Sequence, residues 1–74
     1  MTEPITFELR GEHITLDALL KANGLAGSGG AAKMLIAAGE VRVNGEAEAR
    51  RGRKLRAGDE VSLGEVRIRV QAAA

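Results

Sequence analysis

The chain has 74 residues, with 11 Lys or Arg against 10 Asp or Glu, no cysteine and one aromatic residue, Phe7. A single domain over residues 1–74 is all that such a length supports. A domain this small hides only about 60% of the surface its unfolded chain exposes, which leaves no room for an enclosed small-molecule pocket.

The missing cysteines rule out disulfides, thiolate metal sites and thiol nucleophiles together, so a reducing cytoplasm is the expected setting. Met1-Thr2-Glu3-Pro4 lacks the basic start and apolar run of a signal peptide. No apolar stretch approaches the roughly 20 residues that span a bilayer, so no membrane partner is expected. The net charge of +1 hides an asymmetry: residues 1–48 hold four basic and seven acidic side chains, residues 49–74 seven basic and three acidic. Such a local field attracts a polyanion even when the global charge does not.

In chain order, Ile5-Thr6-Phe7-Glu8-Leu9 alternates apolar and polar residues and predicts a half-buried strand, with Phe7 in the core and a turn at Arg10-Gly11-Glu12. Thr15 is placed to cap a helix carrying Leu16, Leu19 and Leu20 on one face, with Asp17 and Lys21 as an i,i+4 pair outside. Gly24 stops that helix, letting Leu25 fold back on Leu20. Ser28 can cap a second helix with Ala31, Met34, Leu35 and Ala38 as its apolar stripe, closed by Gly39. Both helices are short and need packing to persist.

Val41-Arg42-Val43-Asn44-Gly45-Glu46 predicts a hairpin, since Asn-Gly supplies the two positive-φ residues of a type I′ turn. Its return strand is short, and residues 50–56 are too charged for a core strand, so they form a loop or edge segment anchored by Leu55. After a turn at Ala57-Gly58-Asp59, Val61 and Leu63, then Val66, Ile68 and Val70, alternate as two last strands, and Gln71-Ala72-Ala73-Ala74 frays. The fold class is α+β: two short packed helices against a small, mostly antiparallel sheet, in the order β-α-α-β-β-β-β.

Arg50, Arg51, Arg53, Lys54 and Arg56 place five cations in seven residues, dense enough to meet several phosphates. A solvated loop guarding a sheet edge would have the same composition. Arg67 and Arg69 share the outward face of the terminal strand, as a basic stripe or a plain solvent face. Ser28-Gly29-Gly30 offers backbone N–H groups at the positive end of the second helix, with Lys33 about one turn on; on these residues alone a plain cap with a tight entry is the favoured reading. Neither G-x-G-x-x-G nor G-x-x-x-x-G-K-[ST] is present, His13 stands alone at a turn, and Asp59 and Glu60 diverge, so no catalytic group, metal site or cofactor is expected. With Phe7 as the one aromatic, a stacking platform for single strands is not expected either, which leaves shape and phosphate recognition.

Leu16-Asp17-x-x-Leu20, Gly24-Leu25-Ala26, Ser28, Ala32, Leu35-Ile36, Gly39, Val41-x-Val43-Asn44-Gly45 and Gly58-Asp59-x-Val61 together resemble the alpha-L RNA-binding motif, the domain named after protein four of the small ribosomal subunit. The match runs from about Ile14 to Leu63, and the N-terminal strand with Ser-Gly-Gly-Ala-Ala-Lys is similar to the small stand-alone bacterial YbcJ-like members. The resemblance implies RNA held along the second helix and the loop after the Asn-Gly hairpin, on Ser28, Gly29, Gly30, Lys33, Arg42, Arg50, Arg51, Arg53, Lys54 and Arg56. Many members place an arginine directly after the serine, where this chain has Gly29, so that contact is missing or passes to Lys33 and the backbone. The expectation is a monomeric, cytoplasmic, non-enzymatic protein that binds structured ribosomal or transfer RNA. The alternative is an adaptor whose basic loop docks on an acidic protein.

Overall fold

The computed structural model describes residues 4–73. The alternating N-terminal segment forms β1 (Ile5–Leu9), with Thr6 and Glu8 exposed and Leu9 buried. Phe7 is half-buried, at the rim of the core and not inside it. Gly11, at φ 95°, turns the chain into a two-residue strand, β2 (Ile14–Thr15), which runs directly into α1 (Leu16–Ala22). Leu16, Leu19 and Leu20 are buried, as their spacing predicts.

Thr15 occupies the N-cap position with extended backbone, yet its side chain accepts no capping bond. The Leu16 and Asp17 N–H groups instead donate to the carbonyls of Arg53 (2.9 Å) and Arg51 (3.1 Å), and Ala18 N–H donates to the Asp17 carboxylate (2.9 Å). Among the ion pairs of the described residues Asp17 makes none with Lys21, because its carboxylate turns back to the helix start. Hydrogen bonding from Thr15 and from the Ala18 N–H holds the Asp17 carboxyl below its ordinary pKa.

Gly24 adopts φ 74°; its N–H donates to Lys21 O (3.1 Å) and the Leu25 N–H to Leu20 O (2.9 Å), the two bonds of a Schellman ending. α2 (Gly29–Ala37) begins on Ser28, whose Oγ accepts from the Ala31 N–H (3.1 Å). Its inward face differs from the expected stripe: Ala32 and Ile36 are buried, Ala31 and Leu35 flank them, and Met34 and Ala38 are exposed. The two candidate stripes overlap on the helical wheel, and α1 packs against the narrower one.

β3 (Val41–Val43) and β4 (Glu46–Ala47) form the hairpin, with Asn44 at φ 52° and Gly45 at φ 87°. Then follow β5 (Lys54–Leu55), β6 (Glu60–Leu63) and β7 (Val66–Ala72). The main sheet has the order β1-β7-β6-β3-β4, antiparallel except for β1 and β7, while β2 and β5 make a separate antiparallel ribbon absent from the expected order. The supposed fray is also corrected. Gln71 and Ala72 belong to β7, opposite Glu8 and Leu9, and the Ala73 N–H donates to Leu9 O (3.3 Å); Ala74 lies outside the described residues. Backbone pairing needs no side-chain pattern, so the alanines gave no sign of it.

The helices lie on one face of the sheet. Leu16, Leu19, Leu20, Ala32 and Ile36 pack with Leu9, Val41, Val43, Val61, Ile68 and Val70, and Leu55 joins them from the ribbon. Cross-strand register puts Arg42, Ser62 and Arg67 in one row on the opposite face, where Arg69 also pairs with Glu60 (3.4 Å).

Candidate nucleic-acid interface

The basic segment is an ordered turn. Arg53 N–H donates to Arg50 O (3.2 Å), closing a tight turn over Arg51 and Gly52, and the carbonyls of Arg51 and Arg53 face inward to receive the first N–H groups of α1. The backbone of the turn thus occupies the α1 N-terminus, where an anion would otherwise find free donors. Leu55, fully buried, pins the far end.

Glu48 fixes the side chains. It is the one buried charged residue among those described, and it accepts four hydrogen bonds: from the Arg50 backbone N–H (3.2 Å), Arg50 Nε (3.2 Å), Arg50 Nη2 (3.1 Å) and Arg53 Nη1 (2.9 Å). The Arg50 and then the Arg53 guanidinium bring its pKa down to about 2. Arg50 keeps 76% of its side chain exposed and Arg53 only 34%, so Arg53 holds the turn together while Arg50 still presents charge outward. Arg51, Lys54 and Arg56 are exposed and make no ion pair within the described residues. A shallow groove of about 580 Å³ runs along Arg50, Gly52, Arg53 and Lys54.

Asn44 ties the hairpin to the next turn. Its Nδ2 donates to Asp59 Oδ1 (3.0 Å), its Oδ1 accepts from the Glu60 N–H (2.9 Å) and its own N–H donates to Glu60 O (2.7 Å). Asp59 in turn accepts from the Arg56 N–H (2.8 Å). Burial pushes the Asp59 carboxyl up, but the Arg56 N–H and the Asn44 amide outweigh it and hold the pKa below the ordinary value. One asparagine therefore makes the positive-φ turn and fixes where Arg56 stands.

At the start of α2, Gly29, Gly30 and Lys33 are all exposed. Neither glycine has positive φ; a Cβ on Gly29 would meet nothing within 4 Å, and one on Gly30 only Ser28 Oγ at 3.8 Å. The fold has no need of glycine there, so the tight-entry reading loses its basis, while the cap itself is formed.

This geometry can be set beside known proteins. A model of the S4 domain matches residues 7–71, nearly the whole chain. The chain belongs to the S4 domain family. It is 44% identical over 63 residues to the Probable ribosome maturation protein RlbA of Bacillus subtilis (strain 168), covering 85% of this chain and 86% of that protein. It is also 44% identical over 59 residues to YbcJ of Escherichia coli (strain K12), named as a candidate RNA-binding protein, covering 78% of this chain and 84% of that one.

Within this S4 domain the expected residues fall into three groups. Arg50, Arg51, Arg53, Lys54 and Arg56 are brought together by the turn, Glu48 and the ribbon. Ser28, Gly29, Gly30 and Lys33 gather on α2, with no hydrogen bond or ion pair joining them to residues 50–56 among the described residues. Arg42 projects from the sheet face turned away from the helices, its Nη1 donating to Gly45 O (3.5 Å). Sequence reasoning missed Glu48. Its signal was a carboxylate two residues before Arg50 and five before Arg53, which only a tight turn makes convergent.

Proposed function

We propose that this S4 domain is a non-catalytic protein that binds structured RNA by phosphate and shape contacts, with ribosomal RNA the first candidate and transfer RNA the second. The contacts run over Arg50, Arg51, Arg53, Lys54 and Arg56, with Ser28, Gly29, Gly30 and Lys33 at the α2 start and Arg42 at the hairpin. The observation that carries the reading is the Glu48-clamped turn: its backbone is engaged by α1, two of its arginines are braced on one carboxylate, and the other three cations face solvent. Bracing of this kind lowers the ordering cost of meeting phosphates. Family membership supports RNA as the polyanion, and the relative named for ribosome maturation favours ribosomal RNA.

Fluorescence anisotropy against structured ribosomal RNA fragments, transfer RNA and an unstructured strand, over roughly 50 to 200 mM salt, tests this reading. Three to five phosphate contacts give a slope of about −2 to −4.5 in log K against log salt. Arg51→Glu and Lys54→Glu should weaken binding and flatten the slope without unfolding the domain, whereas Arg53→Glu would repel Glu48 and confuse the two effects. Unchanged binding in both variants would remove the turn from the interface. The adaptor reading, in which the basic loop docks on an acidic protein, rests on the same exposed cations, Arg51, Lys54 and Arg56. It would be preferred if no RNA bound at the lowest salt.

A further inference from the structure

The corner between β1 and β2 carries a feature that the basic turn does not use. Phe7, half-buried on an edge strand, lines an open cavity of about 430 Å³ with Glu8, Leu9, Arg10, His13 and Ile14. That volume lies within the range of small-ligand pockets, roughly 300–1,000 Å³. Two ring-bearing residues, Phe7 and His13, are among those that line it.

The cavity opens beside the β2–β5 ribbon, where Thr15 opposes Lys54 and Ile14 opposes Leu55, and His13 and Arg56 are the residues that adjoin this pairing on either strand. Side chains alternate across such a ribbon. Leu55 turns into the core, which leaves Lys54 on the outward face, and His13 and Arg56 at the ribbon's end are exposed as well. The cavity therefore adjoins a cationic ridge continuous with the basic turn, and Arg10, also exposed, is one of its lining residues.

We propose that this corner holds one unpaired nucleobase of the bound RNA, stacked against Phe7 and His13, with the flanking phosphates on Arg10, Lys54 and Arg56. The inference rests on the RNA-binding reading. Glu8 and Arg10 in the lining offset each other, so the mostly apolar cavity suits an uncharged base, while Arg10 at its wall and the cations of the ridge take the backbone. Aromatic and imidazole rings are the surfaces on which unstacked bases are held. A single phenylalanine cannot carry a run of bases, but it suffices for one. The ligand class is then a structured RNA with a single-nucleotide bulge or unpaired end beside a helix, since an intact duplex keeps its bases stacked within.

The test compares two RNAs that share one helix, fully paired or carrying a single bulged adenosine, by anisotropy at fixed salt, with 2-aminopurine in the bulge as a stacking probe. The bulged RNA should bind on the order of tenfold tighter, within the range that base–aromatic stacking supplies. Phe7→Leu and His13→Ala should each reduce that preference and restore 2-aminopurine emission while leaving duplex affinity and its salt dependence unchanged. Phe7→Leu keeps the apolar bulk; should it fail to fold, His13→Ala, on an exposed side chain, carries the test. Equal binding of the two RNAs, or a preference that survives both variants, overturns the pocket and leaves the RNA reading standing. Adenosine monophosphate binding as tightly as the bulged RNA overturns it in favour of a free-nucleotide site. Binding of neither RNA at the lowest salt removes the RNA reading and the pocket with it.

Discussion

Glu48 accepts from Arg50 and Arg53 while nearly out of solvent, and a carboxylate so placed reports on folding through its proton. Its pKa is about 2 in the folded chain against an ordinary 4.5. A depressed folded pKa means stability that is fully present above about pH 4.5 and lost as pH falls through about 2. Thermal melts followed by far-UV circular dichroism, the suitable probe for a chain without Trp or Tyr, should show the melting temperature falling across that window. Glu48→Gln should melt lower at pH 7 and show a shallower acid loss, because the uncharged amide braces the arginines weakly and has no proton to gain. Equal acid sensitivity in the two proteins would mean that other carboxylates govern the transition.

At the scale of the element, α2 separates what a helix needs from what its surface offers. Ser28 supplies the cap, Ala32 and Ile36 the buried face, and Gly29 and Gly30 neither packing nor a special backbone angle. Gly29→Arg should therefore fold at least as stably as the parent, since an added Cβ meets open space and glycine is a poor helix residue. If the α2 start faces RNA, the new guanidinium adds about one phosphate contact. Affinity should rise several-fold and the salt slope steepen by roughly 0.7–0.9, read from the anisotropy titration. Unchanged affinity would place α2 outside the interface and leave the basic turn to carry binding. The apolar pattern of this helix was legible, but its rotation was not: stripes through Ala31 and Met34 or through Ala32 and Ile36 share the same residue types, and only contact with α1 and the sheet chooses between them.

For the whole molecule, the deciding contact is the parallel pairing of β1 with β7, which joins Ile5 to Ile68 and Leu9 to Ala72 across almost the full chain. Ile68, opposite Ile5 at the start of that pairing, is fully buried, with Val61 on its other side. Ile68→Ala should cost about 2–5 kcal/mol. A domain of this length has roughly 4–11 kcal/mol in total. The melting temperature should drop by about 10 °C or more, with RNA affinity in the cold largely kept because the fully buried Ile68 side chain lies outside the basic turn. A drop of only a few degrees would show that the sheet relaxes around the cavity.

The sequence alone determined the features that depend on neighbours a few residues apart: the Asn44-Gly45 turn, the Ser28 cap, the Gly24 helix ending, the alternation of β6 and β7, and the concentration of charge in residues 50–56. Each follows from backbone angles or side-chain periods that local chemistry sets. Only the tertiary structure decided the rest. It paired the alanine-rich end with β1 and made a ribbon of β2 and β5. It used Arg51 and Arg53 carbonyls as the cap that Thr15 does not provide, and folded Glu48 beneath two arginines that look unpaired in the sequence. Those contacts join backbone groups or charges whose partners are fixed by the path of the chain through space, and no residue type announces them.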